Sequence, residues 1–335
     1  LTADGIVDAS AVAAIVRCAY EKAAVTVDQI LAGAVIITGE TARLRNAEQV
    51  THELASLAGE FVVASAGPHL ESLLAAQGSG AIEYSRKTGL TVLNLDIGGG
   101  TVNAAVVHAG RVIDTACLAV GGRFVKLSAN GTIVAITELG RRLLDTSLSL
   151  QRFAPGTVVN RHDLWQLGTI AAQRIVQFVS GQESGLETLM LTEPLPFAPP
   201  ADQIWITGGV GRLIALTDQE EFSYAGLERL IPYGDVGLPL AVVLQRLLDQ
   251  GGYKVHIPEC AIRATVIGAG MHALQLSGST IEHVDIKLPL KNVPLVRLNP
   301  YENEDAPGQM RSYTTIADDL KDSLKRNDLD WHESA

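Results

Sequence analysis

The stretch from Thr91 to Leu118 constrains the fold more than any other. Thr91 to Leu95 (TVLNL) reads as a short strand that runs straight into Asp96-Ile97-Gly98-Gly99-Gly100-Thr101. Two further strands are expected at Val102 to Val107 and Arg111 to Leu118, joined at His108-Ala109-Gly110, a hairpin signal. A strand thus delivers one carboxylate to its own end, and three glycines follow. Glycine permits backbone conformations and close approaches that a side chain blocks. Successive amides can then point at phosphate oxygens, with the Thr101 hydroxyl as a further donor. Two readings stand on these residues alone. Either the turn binds phosphate, with Asp96 holding Mg²⁺ or orienting an attacking water, or it is a plain glycine-rich turn with a solvated Asp96. It is not a P-loop, because no GxxxxGK[ST] occurs and no lysine follows the glycines. Nor is it a dinucleotide fingerprint, since GGGTVNA lacks GxGxxG spacing and a hairpin follows.

Around this stretch, strands and helices alternate. Val12, Ile15, Val16 and Ala19 fall at helical spacing within residues 7–24. Gly33 to Thr38 and Phe61 to Ala64 read as short buried strands. Thr41 to Ala58 reads as a helix, and so does the segment opened by Pro68, a residue suited to a first turn. Further helices are expected at Arg161 to Ser180, Pro239 to Leu248 and Cys260 to Leu276, and further strands at Gly131 to Ile136 and Gln203 to Thr207. Leu191 to Pro200 holds four prolines and reads as a rigid loop. The pattern favours α/β with mixed sheets. After Pro300 the composition turns acidic, with one amphipathic stretch around Ile316, Leu320 and Leu324.

Composition narrows the function classes. Of 335 residues, 47% are apolar and 19% charged, so a large core is expected rather than disorder. Lys+Arg number 26 against 37 Asp+Glu, a net −11, which argues against a nucleic-acid partner but not against a local phosphate site built from amides. No apolar run reaches about 18 residues, so no membrane-spanning helix is expected. Cys18, Cys117 and Cys260 have no ligand spacing and are expected to be buried free thiols.

Two other turns carry possible chemistry. Trp205 to Arg212 (WITGGVGR) is again a strand ending in glycines, where Gly208 and Gly209 would let a flat ring approach; the alternative is an ordinary strand-to-helix turn. Ile37 to Thr41 (ITGET) places Glu40 just past a strand, where an α/β site holds a carboxylate; the alternative is a helix-dipole partner. His69, Glu71, His108 and His272 are read as surface, turn or packing residues. No Ser/His/Asp triad and no glycosidase-type carboxylate pair can be proposed from spacing.

The order of these pieces resembles the actin, sugar-kinase and heat-shock-chaperone superfamily of ATPases, in which two lobes of ribonuclease H-like fold clamp a nucleotide. DIGGGT matches its second phosphate loop, and VGGRF (Val120 to Phe124) a glycine pair that follows the hairpin. WITGGVGR matches the adenosine turn. SAGPHLESLLAAQG (Ser65 to Gly78) and TVIGAGMHAL (Thr265 to Leu274) match the two connecting helices. A closer resemblance runs from about Leu31 to Arg297. ITGETARLRNA, FVVASAGPHLES, LDIGGGTVN, TACLAVGGR and RATVIGAGMHALQLSGSTI resemble the ethanolamine ammonia-lyase reactivating factors. That resemblance implies a reactivating chaperone that uses ATP and Mg²⁺ to expel damaged cobalamin from an adenosylcobalamin-dependent lyase. It also implies a cytoplasmic setting near a bacterial microcompartment.

Carried over, the resemblance puts Asp96 and Glu40 at the catalytic centre, with Asp96 at the metal. Gly98, Gly99, Gly100, Thr101, Gly121, Gly122, Gly208, Gly209 and Val210 then line the nucleotide. It divides the chain into a first lobe at 1–94 and a second at 95–300, with 129–200 inserted as the lyase-gripping segment, and 301–335 as a tail or the start of another domain. Two departures accompany it. The superfamily's first Asp-containing phosphate loop is absent from Leu1 to Gly39, so the chain is expected to be a fragment lacking both ends. Gly67 stands before Pro68 where the chaperones carry glutamate, a place Glu40 is expected to fill. Two rivals stay open: a small-molecule kinase of the same fold, and a non-hydrolysing scaffold that binds the lyase.

Overall fold

The computed structural model describes residues 8–26, 29, 33–37, 61–65, 67–147, 151–182, 184–195, 201–216, 226–274 and 313–326. Two compact units emerge: Leu1–Leu70 with Ala269–Ala335, and Glu71–Gly268.

In the first unit, helix α1 (Ala9–Ala23) starts where the Asp8 carboxylate accepts the Ala11 N–H, an N-cap that satisfies an orphan amide of the first turn. Strands β1 (Gly33–Ile37) and β2 (Phe61–Ser65) pair in parallel, Val35 opposite Val63. The helix expected at Thr41 to Ala58 lies outside the described residues. The amphipathic stretch of the tail forms a helix, Tyr313–Arg326.

The second unit is built on a five-stranded sheet. Its strands are β3 (Val92–Ile97), β4 (Val102–His108), β5 (Arg111–Leu118), β8 (Gln203–Thr207) and β9 (Val255–His256), in the order β5-β4-β3-β8-β9. β4 runs antiparallel to β3 and β5, whereas β8 runs parallel to β3 and β9 parallel to β8. This order and these directions are those of a ribonuclease H-like lobe, so the fold is the mixed α/β, actin-like class expected from the sequence. The β4–β5 hairpin closes at Ala109 and Gly110, both at positive φ (47° and 79°), the geometry a two-residue primed turn requires. Two short strands, β6 (Val125–Leu127) and β7 (Ile133–Ile136), pair separately; helix α4 (Glu138–Asp145) follows β7, and α7 (Leu227–Leu230) is a single turn later in the chain.

One face of β3 presents Leu93, Leu95 and Ile97 to the main core. Helix α5 (Arg161–Val179) and helix α8 (Gly237–Gln250) cover that face. α5 opens with a capping box in which Asn160 and Asp163 exchange side chain-to-backbone hydrogen bonds. Gly168 brings it close to α8, since a Cβ there would sit 2.7 Å from the Pro239 carbonyl carbon. Phe153, Leu164, Leu167 and Ile175, all within residues 129–200, belong to the same core as the sheet.

The opposite face carries Asn94 and Asp96. Helix α2 (Pro68–Gly78), which begins at the expected proline, is followed by α3 (Ala81–Thr88). The expected helix from Cys260 is instead a 3₁₀ turn at Ala261–Arg263 that leads into α9 (Ala264–Leu274). α2 and α9 cross with backbones in contact: a Cβ on Gly268 would lie 1.9 Å from the Leu74 carbonyl oxygen. Of the cysteines only Cys117, on β5, is buried; Cys18 is exposed and Cys260 intermediate. The exposed one sits on α1, where Ala11, Ala14, Ile15 and Ala19 are exposed as well. Among the described residues no helix is long and apolar enough to cross a membrane.

Candidate functional site

Strand alternation sets the site. With Leu93, Leu95 and Ile97 in the core, Asp96 must point to the other face, at the carboxyl end of β3. Its ladder neighbours are Asn103 on β4 and Thr207 on β8. Thr207 Oγ1 donates to Asp96 Oδ1 at 3.0 Å, and Thr265 Oγ1, in the first turn of α9, donates to Oδ2 at 2.8 Å. Asp96 is only 8% exposed, so the solvated carboxylate of the simpler reading is not what forms. Burial pushes its carboxyl above the ordinary range, and the two threonine hydrogen bonds oppose that only in part. Beside it, buried Asn94 leaves both amide atoms without a partner among the described residues, and Asn103 leaves Oδ1 so. Polar atoms out of water are costly to leave unbonded, so this face of the sheet is not shaped by packing alone.

The glycine turn sits directly beyond. The Gly98 N–H donates to the Thr101 carbonyl at 3.0 Å, which closes the loop on itself. The Val120–Phe124 turn then docks against it: Gly122 N–H donates to Gly98 O at 3.0 Å and Arg123 N–H to Gly99 O at 2.6 Å. Any side chain at Gly121 would place its Cβ 2.5 Å from the Gly99 carbonyl, inside contact distance. The Gly122 carbonyl in turn accepts the Val236 N–H at 3.0 Å, just before α8. The amides of Gly99 and Gly100 donate to nothing among the described residues.

The β8 turn completes the arrangement. Helix α6 (Gly208–Leu216) follows β8 without a spacer. Gly208 has φ +78°, and a Cβ there would meet Asp96 Oδ1 at 2.7 Å and the Ile97 carbonyl at 2.5 Å. The two glycine turns are therefore neighbours, at the ends of adjacent parallel strands. A Cβ on Gly209 would meet nothing within 4 Å among the described residues, whereas Val210 is 2% exposed and packs into the core beneath Gly122.

Of the residues expected from the sequence, Asp96, Gly98, Gly99, Gly100, Thr101, Gly121, Gly122, Gly208 and Gly209 come together. Val210 lies below them as a packing residue, and Glu40 lies outside the described residues. Sequence reasoning missed Thr207, Thr265, Arg123 and Asp235. The threonines lie 111 and 169 positions from Asp96, and no local pattern announces them.

What could such a site hold? Its unused amides and side-chain-free floor suit a polyphosphate. For a divalent cation the described residues offer Asp96, whose oxygens each already accept a hydroxyl, and Asp235, whose oxygens accept the Gly237 N–H and the Arg123 Nε–H. Among the described residues no group of three His, Cys, Asp or Glu side chains could hold a metal. That donor set fits Mg²⁺ carried mainly by phosphate oxygens and water, and does not fit a resident all-protein cage.

A family model described as ethanolamine utilisation protein EutA matches residues 1–332. The chain belongs to the EutA family. Ethanolamine ammonia-lyase reactivase EutA of Salmonella typhimurium is 40% identical over 286 residues, which cover 84% of this chain and 58% of the relative. Its Escherichia coli counterpart is 39% identical over 280 residues, 82% of this chain and 57% of the relative. The chain thus spans somewhat more than half the length of these EutA proteins. Among solved structures, a Ppx/GppA family member from Aquifex aeolicus aligns over 82% of this chain and 85% of its own, at 15% identity and a TM-score of 0.44.

Proposed function

We propose that this chain is the nucleotide-handling part of an ATP-dependent reactivase that releases damaged cobalamin from ethanolamine ammonia-lyase. The observation that carries the proposal is the junction of the two glycine turns. A buried Asp96, held by two threonines, lies under a loop whose Gly99 and Gly100 amides are unbonded. Kinship with the two EutA relatives supports the choice of lyase.

In this reading the Gly98 to Gly100 amides and the Thr101 hydroxyl hold phosphate oxygens, while Gly121 and Gly122 keep the loop in shape. Gly208 and Gly209 border the adenosine, and Val210 supports that turn from below. Asp96 positions Mg²⁺ and the attacking water, with Glu40 as the second carboxylate. ATP brings the transferable γ-phosphoryl group, and the chain supplies positioning and charge stabilisation. Residues 1–94 and 95–300 act as lobes, with 129–200 as the lyase-gripping segment and 301–335 as tail. A ligand shifts a two-state protein only through unequal affinity for the two states. ATP and ADP differ by one phosphoryl group, so a grip on the terminal phosphate is what would make the motion nucleotide-dependent. The setting is the cytoplasm, near a bacterial microcompartment.

A second reading, the non-hydrolysing scaffold, draws support from Asp96 itself. A carboxyl whose two oxygens already accept the Thr207 and Thr265 hydroxyls has little capacity left to orient an attacking water. The test uses inactivated holo-lyase mixed with this chain and, separately, with the longer protein. Recovery of lyase turnover with ATP but not with a non-hydrolysable analogue is expected for the reactivase. Equal recovery with both nucleotides would favour the scaffold, and no ATP binding by either protein would overturn the ATP-dependent reading.

A further inference from the structure

Arg123 stands at the end of the Val120–Phe124 turn, and its side chain leans over the glycine loop. A Cβ on Gly99 would lie 3.1 Å from Arg123 Cβ and 3.9 Å from its Cδ, so the stem passes directly above Gly99. Its Nε donates to Asp235 Oδ2 at 3.3 Å. The Asp235 side chain is only 10% exposed and is fixed from behind, because its Oδ1 accepts the Gly237 N–H at 3.0 Å. Arg123 itself is 66% exposed. The guanidinium is therefore held at one corner by a buried carboxylate. Its terminal nitrogens, Nη1 and Nη2, have no partner among the described residues.

We infer that Arg123 is a phosphate-binding residue whose fork, aimed by Asp235, grips the polyphosphate of a nucleoside di- or triphosphate lying on Gly99 and Gly100. This rests on the nucleotide reading above and deepens it. The amides of the loop provide directed donors but no full charge, and no lysine follows its glycines. A polyphosphate brings several negative charges, and an arginine fork matches phosphate oxygens in pairs. A surface ion pair between Arg123 and Asp235 contributes little to stability by itself. Its position, at the seam between two backbone-paired turns, gives it a better use as an anchor.

The test compares ATP, ADP and adenosine binding by calorimetry for the full chain and for Arg123→Gln, Arg123→Lys and Asp235→Asn. Arg123→Gln should weaken ATP and ADP by roughly tenfold or more, the scale of a charge-assisted hydrogen bond, and leave adenosine unchanged. Arg123→Lys keeps the charge without the fork and should fall between. Asp235→Asn should weaken ATP by a smaller factor through loss of aim. If the unaltered chain binds ATP and Arg123→Gln binds it equally well, the role of Arg123 is overturned while the nucleotide reading stands. Equal loss for adenosine would show a structural role and also overturn it. A chain that binds none of the three overturns the nucleotide reading and this inference with it. Should Arg123→Gln not fold, Arg123→Lys decides: loss confined to ATP and ADP supports the inference, and no loss overturns it.

Discussion

Replacing Gly268 by alanine tests the helix crossing that brings Thr265 to Asp96. Helix propensity alone predicts a gain of about 1 kcal/mol, because glycine is a poor helix residue. The packing predicts the reverse. The new Cβ would lie 1.9 Å from the Leu74 carbonyl oxygen, 2.7 Å from its carbon and 3.0 Å from its Cα, all backbone atoms that no rotamer change can move. Gly78 makes the reciprocal contact, a Cβ there falling 1.8 Å from the Ala264 oxygen, so the helices have no slack on either side. To restore a contact of about 3 Å, α2 and α9 must separate by roughly 1 Å, an overpacking that costs about 1–3 kcal/mol or more. After the propensity gain is subtracted, a loss of up to about 2 kcal/mol remains, or up to roughly 8 °C in melting temperature for a unit of this size. Gly270 on the same helix is the control: a Cβ there meets nothing within 4 Å among the described residues, so Gly270→Ala should hold or raise stability. Thermal unfolding of both variants by circular dichroism reads the difference. If Gly268→Ala melts at or above the temperature of Gly270→Ala, the backbone contact is not real and the reasoning fails.

Three further outcomes are expected. Gly208→Ala must take φ near +78° and push against Asp96 Oδ1, so it should lower both the melting temperature and ATP affinity; unchanged ATP affinity in calorimetry would contradict the placement of this turn. Burial raises the Asp96 carboxyl in the nucleotide-free fold, so the folded chain keeps that proton to higher pH than the unfolded chain does. Stability should therefore fall as pH rises above the ordinary carboxyl range, until the folded group also ionises. Asp96→Asn removes that slope and should exceed the parent in stability near neutral pH, with the advantage shrinking in acid; parallel denaturant curves from about pH 4 to pH 8 would count against it. Asn160→Ala removes the cap of α5 and should cost about 1 kcal/mol in denaturant unfolding; a difference near zero would mean that Asp163 and Arg152 hold that end without it.

The core strands and the β4–β5 hairpin were legible because each carries its own period and its own turn residues. Gln203 to Thr207 matches its strand to the residue, since two glycines mark its end. The eight-residue helix at Ala81–Thr88 escaped notice because it is short and mostly polar, and a capping glycine at each end reads as loop. The start of α9 was misplaced because Cys260 to Arg263 shares its apolar character while adopting a tighter turn. At the site, the glycines and Asp96 could be read because a strand end followed by glycines is a local signal. The burial of Asp96 could not, since it depends on Thr265, which a distant helix delivers. Arg123 went unweighed for the same reason: its meaning depends on Asp235, 112 positions away.

The floor made by Gly98, Gly99, Gly121 and Gly122 is main chain pressed on main chain. Such a surface has no side-chain torsions to freeze when something settles on it. Ordering entropy, usually a large charge against association, would then fall almost wholly on the guest and on one arginine. A titration series across temperature should accordingly find the ΔS of ATP binding more sensitive to changes at residue 123 than to any tolerated change in the loop below it.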